Sequence, residues 1–209
     1  MNIEELMQRR GIMHLVHFTR AENLRSILSG GLIPRMWLNG DSAIFNDEFR
    51  YDRCEDAVCA SIEFPNYKMF YQLREANSSG AWVVLLLSAQ ILLDFDCAFC
   101  QTNAGSEASY AVPLAQRQGA GALAALYAPM VGGVPRAGGL PLSYPTDPQA
   151  EVLVFGIIPP EYIEAVYFNS YTTMRKFSDL SHTVNMRVNT GFFYPRADYR
   201  RWQNTAAAR

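Results

Sequence analysis

Apolar and polar positions along the chain change period several times, and each change marks an element. Asn2 followed by Glu4 and Glu5 opens a helix with an acid-rich first turn suited to the helix dipole, and Gly11 ends it. Residues 12–18 read as a short buried strand. Leu24, Ile27 and Leu28 recur at helical spacing within 21–29, and the Gly30-Gly31 pair stops that helix. His17-Phe18-Thr19-Arg20 is therefore expected in the turn between strand and helix, with Thr19 as the helix cap. Residues 32–49 carry Pro, Gly and Asn without a period and read as a loop. Residues 57–64 alternate toward a strand, Pro65-Asn66 breaks it, and 67–74 form a helical turn. The continuous apolar run 82–87 suits a central strand covered on both faces, and 88–92 a short helix.

The second half is less regular. Residues 128–148 are dense in Gly and Pro and fit no element, as in a functional loop or a disordered one. Residues 151–157 form the second strong strand, Pro159-Pro160 opens a short helix, and 165–168 form another strand. Ser170 caps a helix over 170–180, and 184–188 and 191–194 close as strands. There are no internal repeats and no linker, so the expectation is one mixed α+β domain over 1–209.

Composition narrows the class. The 209 residues are 49% hydrophobic and 18% charged, which suits a sizeable core. At 12% the aromatics suffice to line a pocket as well as to fill a core. No apolar run is long enough to span a membrane, and the acidic start lacks the h-region of a signal peptide, so a cytoplasmic protein is expected. The net charge of −2 issues no global invitation to nucleic acid. The end of the chain is different. From 170 onward Arg175, Lys176, Arg187, Arg196, Arg200, Arg201 and Arg209 face only Asp179 and Asp198. Such a tail contacts phosphates or simply keeps a solvated surface.

Several clusters carry candidate chemistry. Gln149-Ala150-Glu151-Val152-Leu153-Val154 puts one carboxylate at the mouth of an apolar strand, where it can stabilise positive charge at the rim of a cleft. His17 and Thr19 sit where a helix start offers free N–H groups to a phosphate or ribose hydroxyl, though a lone His in an apolar strand also fits a core role. Arg50 and Arg53 flank Asp52, suited either to a pyrophosphate or to a structural ion pair. Phe64-Pro65-Asn66-Tyr67-Lys68-Met69-Phe70-Tyr71 interleaves aromatics with one cation; Tyr67 and Tyr71 can stack on a base and Lys68 reach a phosphate, or the rings can pack a core. Cys97-Ala98-Phe99-Cys100 has zinc-knuckle spacing, with Cys54 and Cys59 as partners, but Cys59 lies within an expected strand and free thiols are the simpler reading. No metal is expected.

With these residues in hand, the chain resembles the DarT family of DNA ADP-ribosyltransferase toxins. The resemblance rests on His17-Phe18-Thr19 with Glu22-Asn23-Leu24-Arg25-Ser26-Ile27-Leu28 and Gly31-Leu32, and on Asn46-Asp47-Glu48-Phe49-Arg50-Tyr51-Asp52. It continues through Phe64 to Tyr71, Gln149-Ala150-Glu151 and Asn189-Thr190-Gly191-Phe192-Phe193-Tyr194, in family order. It implies a fold like that of poly-ADP-ribose polymerases, a split mixed sheet with short helices clasping NAD. It implies that Glu151 is catalytic, with Arg50 beside it at the NAD site, and that His17, Phe18, Thr19, Asn23, Tyr67 and Tyr71 bind NAD as a substrate. Lys68, Arg53 and Asn103 then face single-stranded DNA. Where thymidine-modifying members carry a histidine before an alanine, this chain has Asn103-Ala104, which resembles the guanine-modifying branch. A toxin of this kind also implies a neutralising partner, a DarG-like macrodomain antitoxin. RNA as acceptor, and a non-catalytic nucleic-acid-binding module, are the competing expectations.

Overall fold

A computed structural model describes residues 1–38, 54–78 and 80–199. In chain order the elements are α1 (Ile3–Arg10), β1 (His14–Arg20), α2 (Leu24–Gly30), β2 (Ala57–Ile62), α3 (Tyr67–Ala76), β3 (Trp82–Ser88), α4 (Ile91–Asp94) and β4 (Cys97–Cys100). They continue with α5 (Glu107–Tyr110), α6 (Gly119–Ala125), β5 (Glu151–Phe155), β6 (Ile163–Phe168), α7 (Tyr171–Arg175) and β7 (Asn185–Val188). The strands form one mixed sheet in the order β4-β5-β2-β1-β3-β6-β7, antiparallel except for the β6–β7 pair. The fold class is α+β, as the sequence implied.

Local chemistry fixes the ends of the elements. Asn2 Oδ1 accepts from the Glu5 N–H at 2.8 Å and the Glu5 carboxylate accepts from the Asn2 N–H at 3.0 Å, a reciprocal cap that starts α1. Gly31, at φ 86° and ψ −179°, turns the chain out of α2 into a two-way backbone pairing of Leu32 with Ile158, 2.9 Å each way. A Cβ at Gly31 would collide with the Ile158 carbonyl oxygen.

Strand alternation divides the core in two. Leu15, Val58, Ala60, Ile62, Leu85, Val152 and Val154 share one face, packed with Leu6, Leu24, Leu28, Leu123 and Leu126 from the helices. The other face carries Val16, Val84 and Trp82 against Phe70 of α3, and beside them Ala57, Ala98, Cys100 and Leu153. Cys97 belongs to the first face and Cys100 to the second. Three residues apart on a strand they point opposite ways, so they cannot close on one metal ion.

The sheet is nearly split. β1 and β3 pair along their whole lengths, but β1 meets β2 only at Leu15–Ile62 and Val16–Ser61. From His17 onward the two halves part.

Several expectations are corrected. His17, Phe18, Thr19 and Arg20 are not a turn: they continue β1, paired with Leu85, Val84, Val83 and Trp82. Thr19 caps nothing, because the chain passes from β1 into a 3₁₀ turn (Ala21–Asn23) with no side-chain cap. Residues 191–194 are not a strand; Thr190–Phe193 is a 3₁₀ turn begun by Asn189, whose Oδ1 accepts from the Gly191 N–H at 3.0 Å. Ser170 caps α7, which ends at Arg175 before a separate turn at Ser178–Leu180. β4 and the short helices α5 and α6 had no sequence signal. Arg50, Arg53 and the rest of the 46–52 motif lie outside the described residues.

Candidate active site

β5 begins at Glu151, whose backbone pairs with Cys100 of β4. Its side chain is 6% exposed, so its charge must be met by protein donors. Oε2 accepts from the Ala104 backbone N–H at 2.7 Å; Oε1 accepts from Asn66 Nδ2 at 2.9 Å and from Asn103 Nδ2 at 3.4 Å. All three are N–H donors, which match the lone pairs of a carboxylate.

Each donor is itself fixed. Asn66 is wholly buried, and its Oδ1 accepts from the Met69 N–H at 3.3 Å as the N-cap of α3. The Asn103 Oδ1 accepts from the Gly105 N–H at 3.0 Å and its carbonyl from the Ser106 N–H and Oγ, at 3.0 and 2.7 Å, so the turn after β4 presents the Ala104 N–H rigidly. Asp147, upstream of Glu151, is buried and accepts from the Gln149 N–H at 2.8 Å; burial raises its pKa above the ordinary carboxylate value, against hydrogen bonds from Gln149 and Thr102 and the charges of Arg196 and Lys68.

Arg136 and Arg196 hold the irregular 128–148 stretch that leads there. Arg136 donates to the Tyr144 carbonyl at 2.6 Å, and Arg196 donates to the Pro145 and Thr146 carbonyls at 2.8 and 3.0 Å. Backbone carbonyls outside helices and strands need such donors.

The other candidates cluster at the split. His17 Nδ1–H donates to the Cys59 carbonyl at 2.7 Å, bridging β1 and β2 just beyond their last paired residues. A carbonyl only accepts, so this bond puts the ring proton on Nδ1. Thr19, 3% exposed, accepts at Oγ1 from Asn23 Nδ2, 3.2 Å away. Continuing the Ala60–Val152 register by one step sets Ser61 opposite Glu151, and Ser61 already pairs with Val16. Glu151 and Val16 thus lie two strand spacings apart, about 10 Å between backbones. Alternation puts Glu151 on the sheet face of Val16 and Phe18, and His17 and Thr19 on the other, so the split is where the two groups can serve one ligand.

The aromatic candidates separate. Phe18 stacks on Phe70 with centroids 4.6 Å apart, a core contact. Tyr67 and Tyr71 stack on each other at 5.8 Å along α3, with Tyr71 and Lys68 exposed. Asn103, expected to face DNA, stands against the Glu151 carboxylate. Asn66 and the Ala104 N–H were not singled out in the sequence; an Asn just before a helix is an ordinary cap, and only the long-range bond to Glu151 gives it another role. Among the described residues no three His, Cys, Asp or Glu side chains gather to hold a metal. Burial raises the Cys97 and Cys100 thiols to about 12 and about 11, which keeps both protonated. Nor is any described helix long and apolar enough to cross a membrane.

Residues 16–194 match the signature of a family described as ssDNA thymidine ADP-ribosyltransferase, DarT. No curated protein matches the chain. Among solved structures, Thermus sp. 2.9 DarT in complex with carba-NAD+ is similar at a TM-score of 0.59 and 17% identity, over 87% of this chain and 97% of that one. Thermus sp. 2.9 DarT in complex with ADP-ribosylated ssDNA gives 0.55 and 16%, over 88% and 97%. Thermosipho africanus DarTG in complex with ADP-ribose gives 0.56 and 14%, over 87% of this chain and 51% of its own. At such identities these likenesses speak to the fold.

Proposed function

The chain belongs to the DarT family of NAD-dependent DNA ADP-ribosyltransferases, and on that footing we propose that it modifies a guanine of single-stranded DNA through Glu151. The observation that carries this reading is the buried Glu151 carboxylate, gripped by three N–H donors where a strand emerges beside the split. NAD supplies the ADP-ribosyl group: its nicotinamide–ribose bond breaks with the electron pair leaving on nicotinamide, and a base nitrogen bonds the vacated carbon and loses its proton.

The chain's own residues fit that chemistry. Glu151 is a fixed negative charge for the positive character that develops on the ribose, and its oxygens accept from the neighbouring hydroxyl. At about 4 Å and an effective dielectric near 20, one such pair is worth about 4 kcal/mol before desolvation. A loss of about 10²-fold or more on removing the carboxylate follows. His17 and Thr19 hold the nicotinamide end at the split, and Arg50 the pyrophosphate. Asn103 makes the longest of the three bonds to Glu151, so its amide is the donor most cheaply released to an incoming base. Its place at the carboxylate, where thymidine-modifying members carry histidine, supports guanine. The acceptor is splayed from its neighbours, since a duplex hides the nucleophilic atoms. The reading places the enzyme in the cytoplasm as a toxin, with a macrodomain antitoxin as its neutralising partner.

Labelled NAD and a panel of single-stranded DNA and RNA oligonucleotides test it, with mass spectrometry of the released nucleosides. Label on deoxyguanosine that disappears in Glu151→Gln is the expected result. Label on thymidine, the base named in the matching family's description, overturns the base assignment. Label on RNA alone overturns the acceptor, and tight DNA binding without nicotinamide release overturns the enzymatic reading.

A further inference from the structure

A cavity of about 390 Å³ opens on the face of the sheet that carries α3 and Glu151. That volume is within the range of small-ligand sites. His14, Glu63, Phe64, Tyr144, Tyr167 and Phe192 are among its walls. We propose that it holds one unstacked nucleobase of the DNA strand, a neighbour of the base that is modified. The proposal rests on the DNA reading above and adds a recognition subsite to it.

Three observations carry it. The first is its walls. Phe64 lies 5.9 Å from both Tyr144 and Phe192, centroid to centroid, and Tyr167 lies 5.1 Å from Phe192 in an edge-on arrangement. Rings from four separate segments converge on one space, where a flat base can meet a face or an edge. The second is its charge. None of the described lining residues is Lys or Arg; besides its two tyrosines the ionisable groups are His14 and Glu63, with Glu164 3.3 Å from His14 Nε2. The described walls offer a phosphate no Lys or Arg of their own, whereas a base edge finds a carboxylate and an imidazole. The third is its continuity with the active site. Phe64 precedes by two residues the Asn66 that donates to Glu151, and Tyr144 opens the segment that runs through Asp147 to Glu151. The wall next to Phe64 is also locked: Glu63 stands at φ 61°, a left-handed conformation unusual outside glycine, and its Oε1 accepts from the Met13 and His14 N–H groups at 2.6 and 3.0 Å.

The adenine of NAD is the rival occupant. His14 stands three residues before His17 on β1, about 10 Å along the strand from the split, which favours DNA.

The test moves a single abasic site, position by position, through an oligonucleotide that the wild type modifies. One position beside the acceptor is expected to cost roughly tenfold in kcat/KM, the size of one base–aromatic stack. In Phe192→Leu and in Phe64→Leu, which keep the core apolar, the ratio between intact and abasic substrates is expected to fall toward one. Because the ratio is taken within each variant, a loss of folded protein cancels. A flat scan in the wild type, an unchanged ratio in both variants, or a rise in KM for NAD with the ratio intact each overturns the subsite while leaving the transferase reading standing. A wild type that labels no oligonucleotide brings down both.

Discussion

Asn66 and Glu151 are joined by a 2.9 Å hydrogen bond across 85 positions of chain, and the oxygen of the same amide caps α3 at Met69. One side chain therefore ties the start of a helix to the carboxylate. Asp at position 66 still accepts as a cap but cannot donate to Glu151, and it sets a second acid against it. Asn66→Asp is expected to retain helix content in circular dichroism while losing about 10²-fold in turnover, whereas Asn66→Ala also loses about 1 kcal/mol of cap in urea unfolding. Equal activity in the two variants and the wild type would refute a positioning role.

Glu151→Gln probes the same cluster from the other side. Its amide oxygen serves one side of the cluster, and its nitrogen then faces an N–H donor on the other, either Ala104 or the pair Asn66 and Asn103. A donor set against donors leaves polar groups unpaired, so the variant is expected to unfold about 1–3 kcal/mol more easily in urea. A fully stable Glu151→Gln would mean that the donors can turn away, and that the cluster is softer than its geometry implies.

Asp147 sets a pH dependence of unusual sign. Burial, the largest influence, raises its folded-state pKa above the unfolded value. Its stabilising contribution is thus present below the ordinary carboxylate range and is lost as pH rises through the raised value. Asp147→Asn, permanently neutral, is expected to be more stable than the wild type at pH 7, with the gap closing toward pH ~4. Urea midpoints at the two pH values decide it; a gap that widens on acidification contradicts the assignment.

Gly31 combines φ 86° and ψ −179° with direct backbone contact to Ile158. That region is accessible essentially to glycine alone, so Gly31→Ala is expected to cost at least about 1–3 kcal/mol and to lower the melting temperature by several degrees. An unchanged melting curve would show that the Leu32–Ile158 pairing moves freely.

Legibility in the sequence followed how local each cause is. The α1 cap, the apolar run of β3 and the strand opening at Glu151 are written in adjacent residues, and all three are present. Thr19 and Arg20 look like turn residues next to a helix, but pairing with Val83 and Trp82 extends β1 through them. β4 is only four residues long and buried on both faces, so Cys97–Cys100 shows neither alternation nor length and resembles a metal motif instead. The site divides the same way. Glu151 announces itself by its place before an apolar run, while the donors that hold it come from a helix cap and a turn remote in sequence. Asn189 and Gly191 read as the approach to a strand, but the short Asn189 side chain closes on the Gly191 N–H and coils the backbone.

Arg196 is 3% exposed, pairs with Asp198 at 2.7 Å, and reaches 51 positions back to the Pro145 carbonyl. Its planar guanidinium donates to the Pro145 and Thr146 carbonyls of a segment that has no helix or strand of its own to rely upon, while Asp198 holds its other edge. The course of the chain into β5 is therefore dictated by a cation encoded far downstream. A harmless-looking change at that distant codon would register first as sluggish chemistry, and a search for its cause confined to the cleft would miss it.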